Sequence, residues 1–292
     1  MKKFIALALT VLMAIVVFAA CAPAAPAASD TPSASESAAA PSESASAEAE
    51  QSSVDKIKEA GELVLLTNAQ FPPYEYLGDD NKPAGVDIDI AQMIADELGV
   101  ELKVVDMDFG GLLTALSGGK GDLVAAGLTI TDERKKSVDF CEPYANATQL
   151  IIVNKEDPKV SGVDDLAGKT IGVQLGTTGD IYVTDPEMVP DAKVKEYNSG
   201  LEAALDLANG KLDAVVLDEL PAKSIVASND ALTLIDAPFT EEQYAFAVQK
   251  GDTALAEVIN KVLAPLVKDG KVAEMTASHA EKYAGTSVDT GE

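Results

Sequence analysis

From Val54 onward the chain alternates short β-branched runs with amphipathic stretches, and this alternation restricts the fold more than any other feature. A strand followed by a helix and a second strand is a βαβ unit, which builds a parallel sheet with helices on its faces. Strands are expected at 63–67, 101–105, 122–125, 150–153, 170–173, 193–197, 213–217 and 244–248, and helices at 87–98, 109–116, 200–208, 219–227 and 253–267. Within the first helix Ile90, Ile94 and Leu98 recur at i, i+4 and i+8 beside Ala91 and Ala95, which lays one apolar face on a sheet, and Gly99 closes it.

About 230 residues is more than one typical domain, and the chain echoes itself. Residues 113–124 read LTALSGGKGDLV and residues 204–215 read ALDLANGKLDAV: each is a helix, a Gly-Lys turn and an Asp-led strand. The echo favours two similar lobes, with polar residues at comparable strand ends, Thr129 in one and Asp218 in the other. Ligands of open α/β sheets bind off such ends, so a cleft between the lobes is expected.

The chain opens with Lys2 and Lys3, an apolar stretch over 4–20, and a break at Cys21. The stretch is shorter than the roughly 20 residues that span a bilayer and reads as a signal peptide, 1–20. Phe18-Ala19-Ala20-Cys21 resembles a lipobox, with Phe18 where Leu is usual. Cys21 then becomes the lipidated N-terminus, and its acyl chains anchor the protein to the membrane. Residues 21–53 are almost wholly Ala, Ser, Pro, Glu and Thr, which cannot bury a core and reads as a tether or stalk.

Loss of Lys2 and Lys3 takes the formal charge from −26 to −28, which excludes a general nucleic-acid binder and suits a soluble monomer. Of the two cysteines, Cys141 has no partner once Cys21 is lipidated, so neither a disulfide framework nor a thiolate metal site is available. Cys141 is a small core residue or a reactive thiol. The single histidine, His279, cannot build a triad or a multi-histidine metal site, and no cofactor is expected.

Three polar elements end the expected strands. The run 125–134, AAGLTITDER, combines small residues that admit a ligand to the backbone, the hydroxyl of Thr129, and Arg134 on the following helix. Arg134 either forks a carboxylate or sits on a solvated face behind a Thr131 cap. Gln174-Leu175-Gly176-Thr177-Thr178-Gly179 runs from strand into helix, so its threonines either cap that helix or help hold an anion on its first N–H groups. Asp218 either caps the next helix or pairs with a cation. An anion grip beside a carboxylate describes a zwitterion.

The phrases FPPYEY at 71–76, GVDIDI at 85–90, TITDERKKSVDF at 129–140, GVQLGTT at 172–178 and Leu217-Asp218 together resemble the polar amino acid substrate-binding proteins of ABC importers, in order and at family spacing over about 54–282. The resemblance implies an α/β fold of two lobes, the type 2 periplasmic-binding or Venus-flytrap fold, with two chain crossings near 147–150 and 239–244. Its lobes are expected at 54–148 with 242–284 and at 149–241, leaving a tail at 285–292. It implies that Arg134 takes the ligand α-carboxylate with help from Thr129, Thr177 and Thr178, and that Asp218 takes the α-ammonium with Thr129 and the Gly127 carbonyl. Phe71 and Phe109 match the positions that sandwich the side chain, while Asn68, Ala126, Gln174 and Leu217 fall where relatives vary. Asn68 and Gln174 would suit a polar uncharged side chain, unless Glu75 or Gln70 turns inward. The implied partner is a membrane permease, the location extracytoplasmic, and the activity capture without chemistry. An enzyme on the same scaffold, a dehydratase with Glu75 or Asp218 as its acid, is the alternative, and a ligand-sensing protein is another.

Overall fold

The structure, a computed structural model, describes residues 51–235 and 238–285. The expected signal peptide, Cys21 and nearly all of the tether lie outside the described residues. The tether gives way at Ser52, whose hydroxyl caps the helix Ser53–Ala60 by accepting from the Asp55 N–H.

Two five-stranded sheets carry the fold, and they are built alike. The first runs Glu101–Asp106, Glu62–Thr67, Leu123–Val124, Ala247–Gln249, Val138–Phe140, and the second runs Lys193–Tyr197, Thr170–Gln174, Ala214–Asp218, Gln149–Asn154, Leu232–Ile235. In each, three strands are parallel and a fourth, arriving from the other lobe, enters antiparallel between the third and the far edge. The expected βαβ units give three parallel strands in each sheet, and each crossing strand adds a reversed one.

The echo in sequence is an echo in structure. After the helices Leu112–Ser117 and Gly200–Ala208, Gly119 and Gly210 both turn the chain at φ +70°, a conformation open to glycine. Asp122 Oδ2 then accepts the Val64 N–H at 2.7 Å, and Asp213 Oδ2 accepts the Thr170 N–H at 2.8 Å, each pinning the start of the neighbouring parallel strand. Asp213→Ala should therefore lower stability by about 1–2 kcal/mol without moving the ligand site, measured by urea denaturation. An unchanged midpoint would show the pin to be idle.

The crossings form a short ladder of their own, in which Glu242–Tyr244 runs antiparallel to Ala145–Ala147. Here an expectation is corrected. The single strand at 244–248 is two, Glu242–Tyr244 and Ala247–Gln249, because the chain leaves the ladder at Ala245, whose N–H goes to Leu128, and joins the first sheet two residues later.

The helix Val86–Leu98 buries Val86, Ile90, Ala91, Ile94, Ala95 and Leu98, the face its spacing marked, and each large aliphatic contributes about 1.5–3 kcal/mol of burial. A helix without a counterpart in the expected set, Lys271–Gly285, is fastened to it by His279. That ring is buried, with Nδ1 3.0 Å from the Tyr76 hydroxyl and Nε2 2.9 Å from Asp89 Oδ2. Cys141 is packed in the core, and burial pushes its thiol up to about 12, so the reactive-thiol alternative falls away.

Candidate functional site

Thr129, Arg134, Asp218, Thr177, Thr178, Phe71, Phe109 and Gly127 line one small cavity. They come from distant parts of the chain, and each is placed by the end of a strand.

Gly127 follows the short strand Leu123–Val124 with φ +53°, and its N–H donates to Asp87 Oδ2 at 3.0 Å. A Cβ on it would lie 2.6 Å from the Phe71 ring, so only glycine lets that ring close over the backbone. Thr131 accepts the Arg134 N–H through its hydroxyl at 3.1 Å, but in place of the expected helix the chain makes one 3-10 turn, Arg134–Lys136. The tight turn swings Arg134 inward, and the solvated-face alternative fails: the residue is 7 % exposed. Its Nη1 donates to the Thr129 carbonyl at 2.6 Å and its Nη2 to the Gly176 carbonyl, in the facing lobe, at 3.0 Å. The guanidinium also stands 5.6 Å from the centre of the Phe109 ring. Phe109 itself opens a 3-10 turn, Phe109–Gly111, ahead of the helix expected to begin there.

Thr177 caps the helix Thr178–Thr184, accepting the Asp180 N–H, while its own proton goes to the Gln174 carbonyl at 2.7 Å. Thr178 donates to Glu242 Oε2 at 2.8 Å and accepts from Gln149 Nε2 at 3.1 Å. Both hydroxyl protons are held by protein acceptors here, while the family resemblance implied that the backbone and hydroxyls of these residues help Arg134 with the carboxylate. Seven residues also make too short a helix for a macrodipole of consequence. The free N–H directions of Arg134 are among the donors that remain for an anion.

Asp218 takes the N-cap position of Glu219–Ala227 but makes no capping bond. It accepts the Tyr244 hydroxyl instead. Burial, reinforced by the charge of Glu242, raises Asp218 to about 7, against the Tyr244 hydroxyl, Gln149 and Arg134, which favour the ionised form. Burial pulls Arg134 below its ordinary value while Asp218 and Glu242 hold it up, and a guanidinium so placed stays charged.

Four expected residues lie off the cavity wall, and one of them, Leu217, is core, 2 % exposed. Ala126 is core, 1 % exposed. Asn68 and Gln174 meet each other across the lobes, Gln174 Nε2 donating to Asn68 Oδ1 at 3.0 Å. Asn68 Nδ2 is held by the Met107 carbonyl, and Gln174 Oε1 is buried with no partner among the described residues. Gln70 is exposed, and Glu75 turns inward but to a different place. It is fully buried beside Asp87, neither carboxyl oxygen has a partner of ordinary hydrogen-bond geometry, and burial together with the Asp87 charge raises it well above the carboxylate range. Asp87, raised by burial to about 6, is steadied by the Tyr144 hydroxyl at 2.6 Å and by Gly127.

Two residues at the site carry no signal that spacing exposes. Glu242 accepts the hydroxyls of Thr129 and Thr178, and Tyr244 stacks edge-on against Phe71 and Tyr74 while donating to Asp218. Both sit beyond 240 in the sequence, where the chain makes its return crossing.

Over residues 63–282 the chain matches the bacterial extracellular solute-binding proteins, family 3. It is 31 % identical to the L-cystine-binding protein TcyJ of Escherichia coli over 242 residues, covering 82 % of this chain and 89 % of that one. The arginine-bound form of truncated ArgBP from T. maritima superposes with a TM-score of 0.69 at 44 % identity, over 73 % of this chain and 99 % of that chain. The ancestral amino-acid-binding protein AncCDT-1, a precursor of cyclohexadienyl dehydratase, superposes with a TM-score of 0.70 at 34 % identity, over 78 % of this chain and 99 % of that chain.

Proposed function

Because the chain belongs to the bacterial extracellular solute-binding proteins, family 3, and so to the amino-acid-binding proteins of ABC importers with their two-lobed type 2 fold, we propose that it captures one free amino acid in the cavity at Arg134 and Asp218 and presents it to a membrane permease. The observation that carries this reading is the joint placement of a buried guanidinium and a buried carboxylate on one cavity fed by both lobes. Arg134 forks the ligand carboxylate, and Asp218 receives the ammonium. Closure of the lobes, 54–148 with 242–284 against 149–241, strengthens both interactions by excluding water, and the permease reads the closed form. The ligand side chain lies between Phe71 and Phe109.

Behind the cavity wall, Gln174 Oε1 is a buried acceptor with no partner among the described residues, so a side chain that ends in an N–H donor and reaches past the wall would satisfy it. An uncharged amide, as Asn68 suggests, and a guanidinium both satisfy that atom. The identity to an arginine-bound protein supports the guanidinium. The dehydratase precursor among the neighbours supports the enzyme alternative, whereas the family and TcyJ are binding proteins. Of its two proposed acids, Glu75 is not on the cavity wall, whereas Asp218 is, where this reading gives it the ligand ammonium. The mature protein is a monomer held to the outer face of the membrane through lipid on Cys21.

A thermal-shift screen of the twenty standard amino acids tests this. A ligand of micromolar affinity at 1 mM raises the melting temperature by roughly 8–16 °C. A screen flat across all twenty overturns the reading.

A further inference from the structure

Glu242 belongs to the crossing ladder and is 7 % exposed. Its Oε2 accepts two hydroxyls at once, from Thr129 in the first lobe at 2.7 Å and from Thr178 in the second at 2.8 Å, while Oε1 accepts the Thr240 hydroxyl at 2.9 Å. A carboxylate has no proton to give, so the direction of all three bonds is fixed.

The consequence falls on Thr129. A hydroxyl has one proton and two acceptor directions. With its proton on Glu242, Thr129 Oγ1 can only accept, and Thr129 lines the cavity beside Asp218. Its carbonyl is already taken by Arg134 Nη1. The side-chain oxygen is thus fitted to a cationic N–H and unfitted to a carboxylate. Thr178, donating to Glu242 and accepting from Gln149, has one acceptor direction left and no donor.

We propose that Glu242 is a positioning residue that sets the polarity of the site: by holding the Thr129 proton it makes that hydroxyl an acceptor for the ligand α-ammonium, and by holding Thr178 on the same oxygen it ties this setting to the approach of the two lobes. The proposal rests on the amino-acid-binding reading and adds to it a residue that need not touch the ligand. It accounts for how a site rich in threonine discriminates the two ends of a zwitterion: Arg134 is left as the side-chain donor, and Asp218 with Thr129 as the acceptors.

The test compares each amino acid with the same compound lacking its α-amino group, by calorimetry on the full chain: L-arginine against 5-guanidinopentanoate, and L-glutamine against 4-carbamoylbutanoate. In Glu242→Ala, affinity for the amino acid that binds should fall at least tenfold, while affinity for its desamino analogue changes less than threefold. Glu242→Gln, which retains an acceptor oxygen for the threonine hydroxyls, should restore most of the preference, and this variant serves where the alanine variant does not fold. Thr129→Val should reproduce the alanine phenotype, and combining it with Glu242→Ala should add nothing, since the two act through one bond. Equal weakening of amino acid and analogue, or additive effects of the two substitutions, would reduce Glu242 to a crossing-strand brace and overturn the proposal. Wild-type protein that binds neither amino acid nor any other in the screen removes the underlying reading, a distinct failure.

Discussion

Arg134→Ala should weaken amino-acid binding severely, raising Kd by roughly 30-fold to more than 1000-fold. Truncating one partner of a buried, hydrogen-bonded charge pair costs about 2–5 kcal/mol, and here the cost falls on a ligand carboxylate left without its fork. The same substitution frees the Thr129 and Gly176 carbonyls, which Arg134 Nη1 and Nη2 now hold. Thr129 lies on the cavity and Gly176 is half-buried, so water can reach both carbonyls and the fold should persist with an unchanged far-ultraviolet circular dichroism spectrum. Arg134→Lys should recover little, because a point charge cannot span two carbonyls and a carboxylate. Calorimetry showing a wild-type Kd for the alanine variant would remove Arg134 from the site.

Ligand affinity should strengthen with pH up to about 7 and then level off, and Asp218→Asn should erase that dependence along with most of the affinity. Burial raises Asp218 to about 7, so below that pH the ligand-free protein holds a proton that must leave before the ammonium is paired. Affinity then falls about tenfold per pH unit below 7, and binding at pH 6 releases protons, seen as a binding enthalpy that varies with buffer. The stability of the ligand-free protein runs the other way. Asp87, raised to about 6, Asp218 and Glu75 all bind protons more tightly folded than unfolded. Their contribution is complete below about pH 4 and is lost as pH rises through the folded values, at about 1.4 kcal/mol per unit per group. The melting temperature without ligand should therefore decline between pH 5 and 8 while affinity climbs. Affinity independent of pH over 5–8 would place the ammonium elsewhere.

Periodicity located the helices that bury one face, since Gly200–Ala208 and Glu219–Ala227 fall where the apolar spacing put them. It said nothing of Lys271–Gly285, a helix largely exposed and fastened by a few residues on one face, Val272, Met275 and His279. The split at Ala245 was equally silent, because hydropathy records burial and both sheets bury their strands. At the site, the residues on strand ends, Thr129, Arg134 and Asp218, were legible as polar endings to apolar runs. The roles of Glu242 and Tyr244 were not, because they arise from contacts 113 and 26 residues apart in sequence, set by where the crossing strand returns. Asn68 and Gln174 do meet, through one bond that leaves Gln174 Oε1 without a partner among the described residues.

The buried Cys141 has a practical consequence. Its thiol, pushed to about 12 and packed in the core, is silent to alkylating reagents at neutral pH, and the Cys21 sulfur is consumed by lipid in the proposed mature form. A cysteine introduced in place of Leu175, which is 43 % exposed and faces Gly110 across the cleft mouth, would then be the only thiol to take a dye. Emission from such a label would follow the opening of the cleft, turning the molecule into an optical reporter of its own cargo.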